Sequence, residues 1–364
     1  MITFLLFLVV LSVLVFVHEF GHFISAKKLG VRVDEFGFGF PPRAFSVKRG
    51  GTVYSLNWIP LGGFVKIKGE MAEEATGRDS FATQSAPRRL LILAAGVTMN
   101  MLFAWFLFSV GAMIGLVETV DAVHPSATVR NRAVTVTDVL PDSPASKAGI
   151  AYGDSIASVN GAPVVAVTAL QETLRNASGE VALTLTRGST SREVRVTPVL
   201  LEKVGKLSIG VGLLETGVVS YPFWYAPVRG AQITAMNTLA VFEAFGGLVA
   251  GLVTGKGVSA DVAGPVGIAV ATGEVARLGF IYLLQFTALL SINLAVINIL
   301  PLPALDGGRV LFLIIEKIRR KPVDRKIEGI VHQIGFGLLL LLALFVTVQD
   351  VRRFGAQIIG GLMR

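Results

Sequence analysis

Leu14-Val15-Phe16-Val17-His18-Glu19-Phe20-Gly21-His22-Phe23-Ile24-Ser25-Ala26 sets two histidines and a glutamate inside an apolar run that reaches back to Ile2. A helix that crosses the hydrocarbon core of a bilayer needs about 20 residues, and residues 1–26 supply them. No Lys or Arg precedes Lys27, so the segment lacks the positive start of a cleaved leader and reads as a retained span. Ionisable side chains are costly at membrane depth and are kept there for function. Residues four apart on a helix share a face, so His18 and His22 point the same way, with Glu19 beside them. In a soluble protein such a string is often a pair of surface histidines. Inside a span, the spacing favours one zinc ion held by both imidazoles, with Glu19 as general base.

The composition agrees with a membrane protein. Apolar residues make up 52% of the 364 and charged residues 16%, against about 25% charged in soluble domains. Three further segments, 90–117, 279–303 and 330–350, are apolar enough to span, giving four expected transmembrane helices. A fifth stretch, Asn237 to Thr254, is apolar but carries Glu243 and several small residues. The chain has no cysteine, so disulfides and thiolate ligands are excluded and any metal must use His, Asp or Glu. The net charge of +8 does not call for nucleic acid. The basic residues crowd into 27–89 and 304–329, which places both loops in the cytoplasm by the positive-inside rule. The N-terminus, the region after the second span and the C-terminal tail, 351–364, then face outside.

Two of the intervening regions have folds of their own. In the first cytoplasmic loop, Gly37-Phe38-Gly39-Phe40-Pro41-Pro42 precedes the alternating Val53-Tyr54-Ser55-Leu56-Asn57-Trp58-Ile59 and then Pro60-Leu61-Gly62-Gly63-Phe64-Val65-Lys66-Ile67-Lys68. This is β-hairpin material over about 33–68, apolar enough to dip into the membrane, where extended backbone is tolerated only against protein or a wet cavity. The hairpin around Val53 to Ile67 is expected to receive a substrate as an added strand, with Val53, Ser55 and Asn57 in contact with it. Outside, residues 121–202 alternate strand-like runs with turns. The strings Ser143-Pro144-Ala145-Ser146-Lys147-Ala148-Gly149-Ile150 and Gly153-Asp154-Ser155-Ile156-Ala157-Ser158-Val159-Asn160-Gly161 resemble a single PDZ domain of the bacterial protease type. Residues 203–278 are expected to be an amphipathic, membrane-associated region.

Two histidines leave a catalytic zinc short of one protein ligand. His124 and His332 read as ordinary residues. Asp306, in Asn298-Ile299-Leu300-Pro301-Leu302-Pro303-Ala304-Leu305-Asp306-Gly307-Gly308, is the better third ligand, the alternative being an N-cap for the helix that follows. Topology supports it. The histidine motif sits at the inner end of the first span, so Asp306 must also be inside. That requires an even number of crossings between them, and Asn237 to Thr254 must then lie on the membrane rather than cross it.

His-Glu-Phe-Gly-His paired with Asn-x-x-Pro-x-Pro-x-Leu-Asp-Gly resembles the site-2 proteases, and more narrowly the bacterial type with a PDZ insertion between spans two and three. The resemblance implies a multi-pass α-helical membrane protein of four transmembrane helices, with a membrane-reentrant β-hairpin and an inserted extracytoplasmic α+β PDZ domain. It implies zinc on His18, His22 and Asp306, with Glu19 as the catalytic base. Asn298 would hold the substrate strand or its polarised carbonyl, and Pro301, Pro303 and Asn100 would belong to the same substrate region. Gly96-Val97-Thr98-Met99-Asn100 matches the family's Gly-x-x-x-Asn motif. The implied activity is cleavage of transmembrane segments of single-pass proteins in the bacterial inner membrane, as the second cut of an anti-sigma factor. An ion- or metal-coupled transporter, with Asn298 to Gly307 as a broken helix, is the alternative reading.

Overall fold

A computed structural model describes residues 2–70, 77–120, 123–177, 179–187, 190–201, 206–255, 263–321 and 323–362. The chain divides into two units, one of residues 1–108, 230–276 and 283–364, the other of residues 109–229 and 277–282.

The first unit is helical. It contains α1 (Ile2–Lys28) and most of α2 (Ala86–Ile114), α5 (Ala226–Val253), α6 (Pro265–Leu278) and α7 (Phe280–Ile299), together with α8 (Asp306–Arg319) and α9 (Arg325–Leu362). Among the described residues, five helices are long and apolar enough to cross a membrane: α1, α2, α5, α7 and α9. The expected spans fall on four of these, and Asn237 to Thr254 falls almost wholly within α5. Close helix approach rests on glycine. A Cβ on Gly21 of α1 would overlap the Ala95 carbonyl of α2.

Strands β1 (Val33–Arg49) and β2 (Thr52–Ile67) form the expected hairpin, and each bends enough to contribute two segments. Arg43–Arg49 pairs with Thr52–Asn57. Glu35–Phe38 lies beside Val53–Leu56 on one side and Gly63–Lys66 on the other. The lateral order is thus 43–49, 52–57, 33–38, 63–67. This corrects the placing of substrate on Val53, Ser55 and Asn57. Val53 faces Lys48 and Glu35, and Ser55 faces Ser46 and Gly37. Both backbone edges at these positions are used, leaving no room for an added strand. The Asn57 amide is likewise spent on the Gly39 carbonyl, at 3.0 Å.

The outermost segment runs along α1. Ser12 Oγ donates to the Pro60 carbonyl at 2.5 Å and accepts from the Gly62 N–H at 3.2 Å. Further along, the Val65 N–H donates to Glu19 Oε2 at 3.1 Å. Three strand residues and seven helical residues both cover about 10 Å, so strand and helix stay in step. Gly62 takes φ +73° where a side chain would run into Val15. At the sheet's far end Phe40, Phe45, Trp58, Ile59 and Leu61 are all exposed.

The second unit is a seven-stranded sheet with two short helices, α3 (Pro144–Lys147) and α4 (Val167–Arg175). The sheet comprises β3 (Leu116–Thr119), β4 (Thr128–Val139), β5 (Ser155–Val159), β6 (Ala162–Pro163), β7 (Val181–Arg187), β8 (Thr190–Val196) and β11 (Val211–Ser220), ordered β3-β11-β4-β5-β7-β8 with β6 beside β5. A separate pair joins β9 (Val199–Leu201) to β10 (Lys206–Ser208). The short helix, the Asn160-Gly161 turn at positive φ, the second helix and the β7–β8 hairpin follow the sequence reading. The boundaries do not. β3 precedes residue 121 and β11 lies within the supposed membrane-associated region 203–278, yet β11 pairs with both β3 and β4. Its strand pattern is interrupted by Gly212 and Gly217 and so is weak in the sequence.

Val134, Val136, Ile156, Leu170, Leu183, Leu185 and Ile209 form the core of this unit. Beneath them Asp154 is fully buried, accepting from Arg187 at 2.5 and 2.9 Å, from Arg192 at 3.2 Å and from the Ala151 N–H at 3.0 Å. Burial pushes its carboxyl up, but the Arg187 guanidinium, the Ala151 N–H and Arg192 outweigh this and hold it below the usual aspartate value. A lowered folded value means that the stabilisation is present above the unfolded value of about 3.9 and lost as pH falls through the folded one. Hydrogen exchange on the detergent-solubilised chain should therefore show β5 and β7 losing protection below about pH 4. Asp154→Asn should lower their protection already at pH 7, by about 1–3 kcal/mol.

Candidate metal centre

α1 carries His18 and His22 one turn apart, and both are over nine-tenths buried. α8 begins at Asp306, with Leu305 as its N-cap, so the carboxylate is free of capping duty. His18 Nε2 lies 3.0 Å and His22 Nε2 3.2 Å from Asp306 Oδ2, and the two ring nitrogens are 3.2 Å apart. Among the described residues these three make the one His/Asp/Glu group with metal-ligand spacing.

The donors fit zinc in number, type and spacing. Tetrahedral ligands at about 2.0–2.1 Å from an ion lie about 3.3 Å from one another, close to the separations found. Two imidazoles and one carboxylate leave a fourth position open, as catalytic sites require. The outer ring nitrogens also suit metal binding. His22 Nδ1 is 2.8 Å from the Ile92 carbonyl, which can only accept, so Nδ1 carries the proton and Nε2 keeps its lone pair. His18 Nδ1 lies 3.3 Å from the Asn100 side-chain amide, whose Oδ1 is buried without a hydrogen-bond partner. Amide oxygen and nitrogen exchange places by a half-turn. Oδ1 then accepts from a protonated His18 Nδ1, and the second lone pair is also freed for a metal.

α2 shapes the pocket with two residues one turn apart. A Cβ on Gly96 would overlap the Nε2 atoms of both histidines, so only glycine leaves room for the rings. Asn100 is fully buried, and its backbone carbonyl accepts from Ser291 Oγ of α7 at 2.8 Å. The structure thus sets Asn100 against His18.

The loop 300–305 fixes where Asp306 begins. Pro301 is exposed, while Pro303 packs so closely on Gly335 of α9 and Gly308 of α8 that a Cβ on either glycine would overlap this loop. Gly307 is similarly closed in by the Ile299 and Leu300 carbonyls. Neither proline carries an N–H that would need a partner in an apolar setting. Asn298, on the last turn of α7, is half-buried and makes no side-chain hydrogen bond among the described residues. Two features escaped the sequence reading. Arg309, one turn after Asp306, pairs with Glu70 beyond the hairpin, and His332 accepts a hydrogen bond from Ala304. Spacing alone signals neither.

The sequence matches the profile of Peptidase family M50 over residues 6–342. The zinc metalloprotease RasP of Geobacillus kaustophilus is 31% identical, with 96% of this chain and 97% of the relative covered. The regulator of sigma-W protease RasP of Bacillus subtilis is 30% identical, with 96% and 98% covered. Among solved structures, the PDZ domain of an SdrC-like protein from Listeria monocytogenes matches 24% of this chain and 92% of its own at 20% identity, with a TM-score of 0.22. The chain belongs to peptidase family M50, the site-2 protease family that its two motifs resemble.

Gly96→Ala should lower zinc affinity at least about 10-fold by crowding the rings, and Asn100→Ala about 10- to 100-fold by freeing the His18 ring. Chelator competition on the purified chain measures both.

Proposed function

We propose that the chain is a zinc-dependent intramembrane endopeptidase of the bacterial inner membrane that cuts a transmembrane segment of a membrane-protein substrate near the cytoplasmic face. One observation carries the reading. The His18–His22–Asp306 cluster lies among apolar helices, and the carboxylate of Glu19 beside it accepts from the Val65 N–H on an outer segment of the sheet.

A helical substrate keeps its carbonyls in its own hydrogen bonds, so it must be extended locally before it can be cut. Gly63–Ile67 is an outer segment of the sheet, and its Val65 N–H points at Glu19. An extended substrate adding a strand there gains main-chain hydrogen bonds and is held in register beside the ligand cluster. His18, His22 and Asp306 hold the metal, which when bound acidifies water to a pKa of about 7 and polarises a carbonyl. Glu19 takes the proton of the attacking water and delivers it to the departing amine. Asn298 offers its unspent amide to the substrate carbonyl.

The hairpin tip is membrane-reentrant in this reading. Pro60 and Gly62 meet α1 at Ser12, sixteen residues or about 24 Å from Lys28 along the helix, and the exposed aromatic residues there suit lipid. The chain crosses the membrane four times, with α5 lying on the outer side. Supporting this, α6 is tied to the ends of the first and fourth spans that the charge rule puts outside. Its Gly267 N–H donates to Asp350 of α9 at 2.7 Å, and its Gly273 packs on Thr3.

The sheet from β3 to β11, residues 116–220, serves as a peptide-binding PDZ domain outside the membrane. Beyond its pairing with β4, the edge of β11 at 211–214 is unpaired among the described residues. A cleft of about 380 Å³ beside it is lined by Leu174 and Arg175 of α4 with Leu207 and Leu213. The name of the Bacillus subtilis relative, a regulator of sigma-W protease, supports an anti-sigma factor-like substrate; in this reading the cut is the second, after another protease has removed the substrate's outer domain.

Glu19→Gln should retain one zinc per chain and lose cleavage of a model transmembrane substrate; intact cleavage contradicts the assigned role. The chain has no cysteine, which makes single-cysteine crosslinking clean. In the Glu19→Gln background, Lys66→Cys should crosslink to a cysteine near the substrate's cut site, and Val47→Cys on the opposite edge should not. The reverse pattern moves the substrate to the other edge.

A further inference from the structure

Ala304 stands two residues before Asp306 with φ +74°, a region that non-glycine residues enter rarely and only where the surroundings hold them. Its N–H donates to His332 Nδ1 of α9 at 2.8 Å. Nδ1 therefore holds a lone pair, and the neutral ring carries its proton on Nε2, which is buried with no hydrogen-bond partner among the described residues. Among the described residues Ala304 is thus the only hydrogen-bond partner of this ring. Gly335, on the same face of α9 one turn later, receives Pro303 where any side chain would collide. Phe312 of α8 packs its ring 5.6 Å from the imidazole. One face of α9 thereby moulds the loop between α7 and α8.

We propose that His332 is the positioning residue for Asp306. By holding the Ala304 N–H, it fixes the turn from which α8 departs and so sets the Asp306 carboxylate against His18 and His22. The inference rests on the metal-centre reading of that cluster and adds a residue outside it. His332 touches neither the ligands nor the reacting atoms. Its effect passes through the backbone from 304 to 306, a short path that the close packing of Gly307 and Gly308 leaves little freedom to bend otherwise.

Two substitutions separate the hydrogen bond from the bulk of the ring. His332→Asn places an amide oxygen where Nδ1 stood and keeps the acceptor while losing volume. His332→Leu keeps volume and loses the acceptor. The expected result on the full-length purified chain is that His332→Leu lowers zinc affinity at least about 10-fold by chelator competition and lowers kcat more than it changes KM. The Ala304 amide in this variant should exchange hydrogen faster, while α2 and α7 stay protected. His332→Asn should remain within about 3-fold of the parent chain, inside the scatter that a weakened packing contact brings. Unchanged zinc affinity in His332→Leu overturns the proposal, as does equal loss in both variants, which would show that retaining the acceptor does not matter. His18→Ala serves as the reference. If it keeps its zinc, the metal-centre reading itself falls; if it loses zinc while His332→Leu does not, only the positioning role falls.

Discussion

Taking a carboxylate out of water costs several kcal/mol unless partners compensate it, and Asp306 sits mostly buried at the start of α8 against apolar helices. Its partners are the Nε2 atoms of His18 and His22, at 3.0 and 3.2 Å. Those rings in turn must present lone pairs inward, which the Ile92 carbonyl and the Asn100 amide arrange from outside. A cation shared by the three donors would neutralise the carboxylate and use the lone pairs of both rings. The packing of the helical unit follows from keeping these groups together and everything else away.

Glycine supplies the space. Gly96 exists where two imidazoles need room, Gly21 where α1 and α2 touch, and Gly307, Gly308 and Gly335 where the loop before Asp306 folds back on itself. The hairpin solves a second problem, that of presenting extended backbone next to a buried centre. Its two inner segments are paired on both sides, and of the two outer ones 63–67 follows α1 from Ser12 to Glu19, with its Val65 N–H on Glu19 beside the cluster. The base and the strand edge are thus joined by one hydrogen bond, which supports the reading that substrate enters as a strand at that edge.

Much of this was legible in the sequence because the strongest signals are local or chemical. His18, Glu19 and His22 declare themselves by helical spacing inside an apolar run, and Asp306 by the need for a third ligand on the same side of the membrane. The hairpin was visible in the alternation from Val53 to Ile59, but its lateral order was not. Which segment lies at the edge depends on how each strand bends, and that misdirected the substrate contact to Val53, Ser55 and Asn57. β11 was missed because Gly212 and Gly217 interrupt its alternation, and its place between β3 and β4 is a long-range fact. His332 carried no local signal at all, since its importance lies in the backbone N–H of Ala304, a residue whose strained φ no sequence pattern announces. The packing of Pro303 on Gly335 and of the Asn100 amide against His18 is long-range and has no signal in the sequence.

The central claim is that side chains from α1 and α8, nearly the whole chain apart, share one zinc ion. X-ray absorption at the zinc edge on the purified chain tests it most directly. The account predicts one zinc per chain, with two imidazole nitrogens and carboxylate or water oxygens in its shell at about 2.0–2.1 Å, and loss of one imidazole in His22→Ala. A chain that purifies without zinc under non-chelating conditions, or a shell unchanged by His22→Ala, would contradict it.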